Sequence, residues 1–177
     1  MNMAKILIIY ATIDGHTRKI CLRLKQHVDS PENPVTLVPI EDANTIDLSG
    51  FDKVVIGASI RYGKHSHLVY EFINNNKVIL DSKPNAFFSV NVVARKQEKN
   101  HPRTNPYMKK FLKQIAWKPK QLAVFAGMID YQKYTFWDRL AIRLIMWITG
   151  GPTDPETKTE FTDWGGVEHF GRVICDM

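Results

Sequence analysis

Two hydroxyls, a carboxylate and a glycine crowd the run YATIDGHTRKI, Tyr10–Ile20, as Thr12, Asp14, Gly15 and Thr17. The run follows the apolar stretch Ile6–Ile9 and leads into a segment with helical spacing. Asp-Gly is common turn chemistry, so one reading is a plain turn. The other is an anion cradle, in which backbone N–H groups converge at a helix N-terminus. A nucleotide P-loop needs G-x-x-x-x-G-K-[ST], and a dinucleotide fingerprint needs G-x-G-x-x-G. This loop has neither, and Thr12 stands where an aspartyl nucleophile would be wanted. Thr12, Asp14, Gly15 and Thr17 suit a terminal phosphate monoester that is held and not transferred. No metal site is evident.

Two further loops carry candidates. The run GASIRYGKHSH, Gly57–His67, places small residues, Arg61 and Tyr62 after an apolar stretch. The run FFSVNVVARK, Phe87–Lys96, does the same with Ser89 and Asn91. Tyr62 reads equally as a half-buried loop aromatic. Three such loops at one sheet edge could hold a phosphate and a flat ring. His65 and His67 are candidate bases or solvent-facing loop histidines.

The elements that must position these loops read as alternating strands and helices. Strands are expected at Ala4–Tyr10, Pro34–Ile40, Lys53–Ala58, Asn85–Val90 and Leu122–Ala126. Helices are expected at Thr17–Val28, His67–Asn76, Pro106–Ala116 and Asp163–Ile174. This alternation implies a parallel sheet covered on both faces, with ligands beyond the carboxyl ends of the strands. The 177 residues suit one domain, residues 1–177. Residues 127–161 are an insertion before the last helix. No apolar run approaches the roughly 18 residues of a spanning helix, and the N-terminus has no signal-peptide layout. Cys21 and Cys175 are expected to be reduced and inert, as in a cytosolic protein.

The net charge of +6 is unevenly spread. Residues 95–120 hold nine Lys/Arg and one acid, Glu98, and so carry all the excess. Such a segment is either a solvated loop or a seat for an anionic partner. Tyr107, Phe111 and Trp117 could stack on bases, but Phe111, Leu112 and Ile115 have the spacing of a helix's core face. No nucleic-acid partner is expected.

The three loops together resemble the flavodoxin family. The resemblance implies a three-layer α/β sandwich with a five-stranded parallel sheet in order 2-1-3-4-5 and FMN at its edge. Thr12, Ile13, Asp14, Gly15, His16 and Thr17 would then hold the phosphate. Ser59, Ile60, Arg61, Tyr62 and Gly63, with Ser89, Val90, Asn91, Val92 and Val93, would hold the isoalloxazine ring. Ala11 departs from the usual Ser or Thr.

The runs VVIGASIRYG, FFSVNVVARK, TNPYMKKFL, FWDRLAIRLIMWITGG and TDW are similar to the flavodoxin-like, quinone-dependent protoporphyrinogen IX dehydrogenases of bacterial haem synthesis. That resemblance implies oxidation of protoporphyrinogen IX through FMN, with a membrane quinone as acceptor. It also implies a peripheral position at the cytoplasmic face of the inner membrane. Arg95, Lys96, Lys99 and Arg103 would receive the substrate propionates, and Arg61 or His65 would act near the flavin. An NAD(P)H:quinone reductase and an electron-carrier flavodoxin are the alternatives.

The insertion contains YTFWDRLAIRLIMWIT, Tyr134–Thr149. As a helix it is about 24 Å long, short of a hydrocarbon core of about 30 Å. Phe136, Trp137, Leu140, Leu144, Ile145, Trp147 and Ile148 cover most of its surface, and Arg139 and Arg143 share a stripe. A buried core helix, a contact with a second copy and a helix lying on an anionic membrane surface are the three readings.

Overall fold

The computed structural model describes residues 3–156 and 158–177. Its central sheet comprises β1 (Ile6–Ala11), β2 (Val35–Pro39), β3 (Lys53–Ser59), β4 (Asn85–Val90) and β5 (Gln121–Phe125). All four pairings are parallel, as the strand–helix alternation implied, and the order β2-β1-β3-β4-β5 is the one implied by the flavodoxin resemblance. Helices α1 (His16–Val28), α2 (His67–Ser82) and α3 (Pro106–Gln114) follow β1, β3 and β4.

Strand alternation divides the core in two. Leu7 and Ile9 point to one side with Val54, Ile56 and Phe87, against Phe72 of α2 and Phe111 of α3. Ile6 and Ile8 point to the other side with Val55 and Phe88, against Leu24 of α1. The same side receives Phe170 and Ile174 of the last helix, α5 (Trp164–Asp176). β1, β3 and β4 are covered on both faces, which is why they carry the apolar runs Ile6–Ile9, Val54–Ile56 and Ala86–Phe88. Gly57 sits under the Phe88 ring, and a Cβ there would lie 2.1 Å from the ring carbon Cζ. No side chain fits there unless the Phe88 ring is displaced.

Helix α2 runs to Ser82, beyond the expected end at Asn76, the last of three consecutive asparagines. Packing overrides their weak propensity: Leu80 is fully buried, and Pro84 stops the helix.

The insertion folds on its own small core. β6 (Met128–Asp130) pairs antiparallel with β7 (Lys158–Glu160), two strands the sequence did not reveal. Helix α4 (Phe136–Thr149) lies between them in the chain. Ile129, Tyr131, Tyr134 and Met146 are buried together. Tyr134 belongs to this core and not to the helix, because Thr135 caps α4 by accepting from Asp138 N–H. Gly150, at φ 67°, ends it.

Candidate functional site

The carboxyl ends of β1, β3 and β4 open into a cleft with two connected parts. The narrow part is lined by Thr12, Ile13, His16, Thr17, Ser59 and Val90, and has a volume of about 70 Å³. The wider part, about 240 Å³, is lined by Tyr62, Gly63 and Val93, with Tyr107 of α3 and Ile142 and Ile145 of α4. Asp14, Ile60, Arg61, Asn91, Val92 and Tyr134 line both. The three loops named from the sequence therefore meet, and α4 supplies a wall that sequence reasoning missed.

The narrow part has features that suit an anion. Gly15 caps α1 at φ 84°, a left-handed conformation natural to glycine, and donates its N–H to the Thr12 hydroxyl at 3.1 Å. No side chain caps the first turn of α1 and no acid lies in it, so the positive end of the helix faces the cleft. His16 Nδ1 and Thr17 Oγ1 are buried and have no hydrogen-bond partner. Buried polar atoms without partners are rare in folded chains. At a helix N-terminus the Thr17 hydroxyl can donate to a phosphate as it stands, and His16 Nδ1 can do so once protonated. The other side of the imidazole is occupied: Nε2 lies 2.6 Å from the Thr162 hydroxyl, which donates to Ala126 C=O at 2.7 Å. Burial lowers the His16 pKa, so the ring is neutral here and Nδ1 carries a lone pair.

The wider part is organised by charge. Arg61 reaches Asp14 at 3.3 Å through Nη1 and Asp138 of α4 at 2.7 Å through Nη2. Its guanidinium lies 5.5 Å from the centroids of both the Tyr62 and Tyr134 rings. Tyr62 adopts φ 50° and donates its hydroxyl to Asp138. The hydroxyls of Tyr62 and Thr135, together with Arg61, hold the Asp138 carboxyl below the usual carboxylate range. The Tyr62 ring is nonetheless 78% exposed, so one side of the cleft mouth is open.

Four sequence expectations are corrected. His65 is neither solvent-facing nor at the site: it is buried against Phe87 and Phe111 and bonds Ser89 Oγ at 3.0 Å. Burial lowers its pKa to about 3, so it is a neutral core histidine. Ser89 is fully buried and its hydroxyl is taken by His65 and Asn91 side chains, which removes it from the cleft wall. Arg95 is not free for a substrate. It donates to Val92 C=O and to both the carbonyl and the hydroxyl of Thr149, and so clamps the C-terminus of α4. Lys96, Lys99 and Arg103 lie on the connection between β4 and α3, outside the cleft wall. Lys110 of α3, which the sequence did not single out, reaches the mouth, with Nζ 3.4 Å from Gly63 C=O.

The outer surface of α4 is apolar and bare. Phe136, Trp137, Trp147 and Ile148 are each more than two-thirds exposed, with Leu140, Leu144 and Ile145 about half exposed. Single exposed apolar residues are ordinary, but a patch this dense is not. Among the described residues no helix is long and apolar enough to cross a membrane, and no cluster of side chains could hold a metal ion.

Residues 7–156 match the family model described as a flavodoxin domain. The chain is 42% identical over 174 residues to a protein from Leishmania major named protoporphyrinogen IX dehydrogenase [quinone], covering 98% of this chain and 75% of that one. It is 40% identical over 173 residues to a protein of the same name from Escherichia coli K12, covering 98% and 96%. Among solved structures, oxidised flavodoxin 2 from Bacillus cereus superposes with a TM-score of 0.57 at 19% identity, covering 98% of this chain and 99% of that one. At that identity the likeness speaks for the fold alone.

Proposed function

The chain belongs to the family of flavodoxin-domain, quinone-dependent protoporphyrinogen IX dehydrogenases, and on that premise we propose how its residues serve the reaction. It is an FMN oxidoreductase that converts protoporphyrinogen IX to protoporphyrin IX, with a quinone as acceptor. The observation that carries the site is the pair of partnerless buried atoms, His16 Nδ1 and Thr17 Oγ1, at the N-terminus of α1.

Bound FMN supplies the two-electron chemistry. Conversion of the porphyrinogen removes six electrons and six protons, in three rounds that each reduce one quinone to its quinol. Thr17 and the first N–H groups of α1 hold the phosphate, and Gly15 lets the backbone come close. Residues 59–63 and 90–93 flank the ring, and the open face beside Tyr62 admits a large flat substrate. Ile142, Ile145 and Tyr107 keep that part of the cleft apolar and exclude water. Lys110 at the mouth is placed to meet a propionate.

The bare face of α4 lies on a membrane. Trp137 and Trp147 suit the interfacial region, and Arg139 and Arg143, which donate only Nε to the carbonyls of Tyr131 and Thr153, keep their Nη groups for anionic headgroups such as those of a cytoplasmic leaflet. Ile145 belongs both to that face and to the cleft wall, which gives a membrane quinone a short route to the flavin.

The test is direct. Purified protein should show flavin absorbance, release FMN on denaturation, and convert protoporphyrinogen to fluorescent protoporphyrin when a quinone is added without oxygen. Reduction of quinone by NADPH with no porphyrinogen turnover would replace this reading with that of an NAD(P)H:quinone reductase.

A further inference from the structure

Asp138 is out of character with its helix. It is buried, on a helix whose neighbouring residues Phe136, Trp137 and Leu140 are exposed and apolar. It stands in the first turn of α4, where a carboxylate is favoured by the helix dipole. That alone would not require burial. Its two oxygens are instead spent on the β3–α2 loop: one accepts from Arg61 Nη2 and the other from the Tyr62 hydroxyl. Those are consecutive residues, and both line the wider part of the cleft. Arg61 is further held by Asp14 of the β1–α1 loop, and Lys133 donates to the Asp14 carbonyl at 3.2 Å. Two carboxylates, from the insertion and from the phosphate loop, thus fix one guanidinium. Tyr62 is held in a left-handed conformation that non-glycine residues rarely adopt.

We propose that Asp138 is a positioning residue of the flavin site, which from α4 sets the place and the charge of Arg61 and the orientation of Tyr62. The inference rests on the FMN reading of the cleft. Its physical content is a coupling between the insertion and the flavin's redox balance. While Asp138 grips Arg61, the guanidinium charge is shared between two carboxylates. Without that grip the charge is less cancelled and freer to approach the ring, where it favours the reduced form, which carries more negative charge. A pure scaffolding role for the helix would alter stability and leave the redox balance alone.

The experiment measures FMN affinity of the apoprotein and the midpoint potential of the bound flavin. The proteins are wild type, Asp138→Asn, Asp138→Glu, Arg61→Gln and the Arg61→Gln/Asp138→Asn double variant. Thermal unfolding of each apoprotein controls for folding. Asp138→Asn should favour reduced over oxidised FMN by about tenfold relative to wild type, an upward shift of ~30 mV for a two-electron couple. In the Arg61→Gln background the same change should have no further effect, since Arg61 transmits it. Asp138→Glu, which keeps the charge but displaces the carboxylate, should fall between wild type and Asn. It also serves as the probe if the Asn variant does not fold. An unchanged potential, an equal shift in both backgrounds, or a Glu variant identical to wild type would each overturn the proposal. Failure of wild-type apoprotein to take up FMN would instead overturn the functional reading.

Discussion

The His16 ring nitrogen Nε2 lies 2.6 Å from the hydroxyl of Thr162, 146 positions further along the chain. Because that hydroxyl donates onward to Ala126 C=O, it accepts from His16, and the imidazole proton is fixed on Nε2. Nδ1 is left buried and bare. A phosphate dianion at the N-terminus of α1 can bond to Nδ1 only if His16 takes up a second proton.

The first prediction follows. Burial, outweighing nearby Glu160, lowers the free-protein His16 pKa below 6.5, with Lys19 and Lys133 adding to the effect. A bound phosphate raises it. Protons are then taken up on binding, so FMN affinity is full below the free-protein pKa, falls by up to about tenfold per unit between that and the raised bound-state pKa, and levels off above it. Above about pH 7 the phosphate is a dianion throughout and does not confuse the reading. FMN titrations from pH 7 to 9 should weaken for wild type and stay flat for His16→Gln. Riboflavin, which lacks the phosphate, should stay flat for both.

Thr17→Val separates stability from function. The Thr17 hydroxyl is buried without a partner, so the isosteric methyl should leave the apoprotein as stable or stabilise it by about 1 kcal/mol. FMN binding should weaken by roughly 1–3 kcal/mol through loss of a hydrogen bond to a charged group. Denaturant unfolding of apoprotein and fluorimetric FMN titration measure the two. Wild-type FMN affinity in this variant would remove Thr17 from the phosphate site.

His65 should make the fold acid-sensitive. Its folded pKa is about 3, against about 6.5 when unfolded. A histidine held neutral in the fold contributes stability above its unfolded pKa and loses it as pH falls, because the unfolded chain binds the proton first. Between pH 6.5 and 5 this group should cost about 2 kcal/mol. Comparing unfolding free energies at pH 7 and pH 5 should show that loss in wild type and much less of it in His65→Leu.

Arg95→Ala should act on the insertion and not on the substrate. Its bonds to Thr149 close the C-terminus of α4, so limited proteolysis should cut residues 134–156 faster. The Michaelis constant for protoporphyrinogen should be little changed, whereas Lys110→Ala should raise it and spare FMN binding. A porphyrinogen diester should be insensitive to the Lys110 change. The reverse pattern would return Arg95 to the substrate.

Trp137→Ser with Trp147→Ser tests the membrane seat. Both residues are about three-quarters exposed and neither lines the cleft, so FMN binding should be unchanged. Sedimentation with anionic liposomes should be lost, along with reduction of a long-chain quinone, while a soluble acceptor still works. Wild-type binding should weaken at high salt. Unaltered sedimentation would assign the apolar face to another contact.

What the sequence determined by itself was local or periodic. Alternating buried strands and amphipathic helices dictated a parallel sheet, because continuous apolar runs such as Ile6–Ile9 can only be satisfied by cover on both faces. Small residues, hydroxyls and Gly15 after β1 pointed to a plain turn or an anion seat, since their chemistry acts within one turn of chain. Only the tertiary structure decided which charges were free. Arg95 and His65 read from the sequence as available groups, yet one is spent on Thr149 and the other is buried under Phe111. Asp138 and Arg61 showed no sign of each other across 77 positions. Ion pairs and burial depend on where elements dock, and docking is set by the summed packing of residues remote in the chain, which no local pattern records.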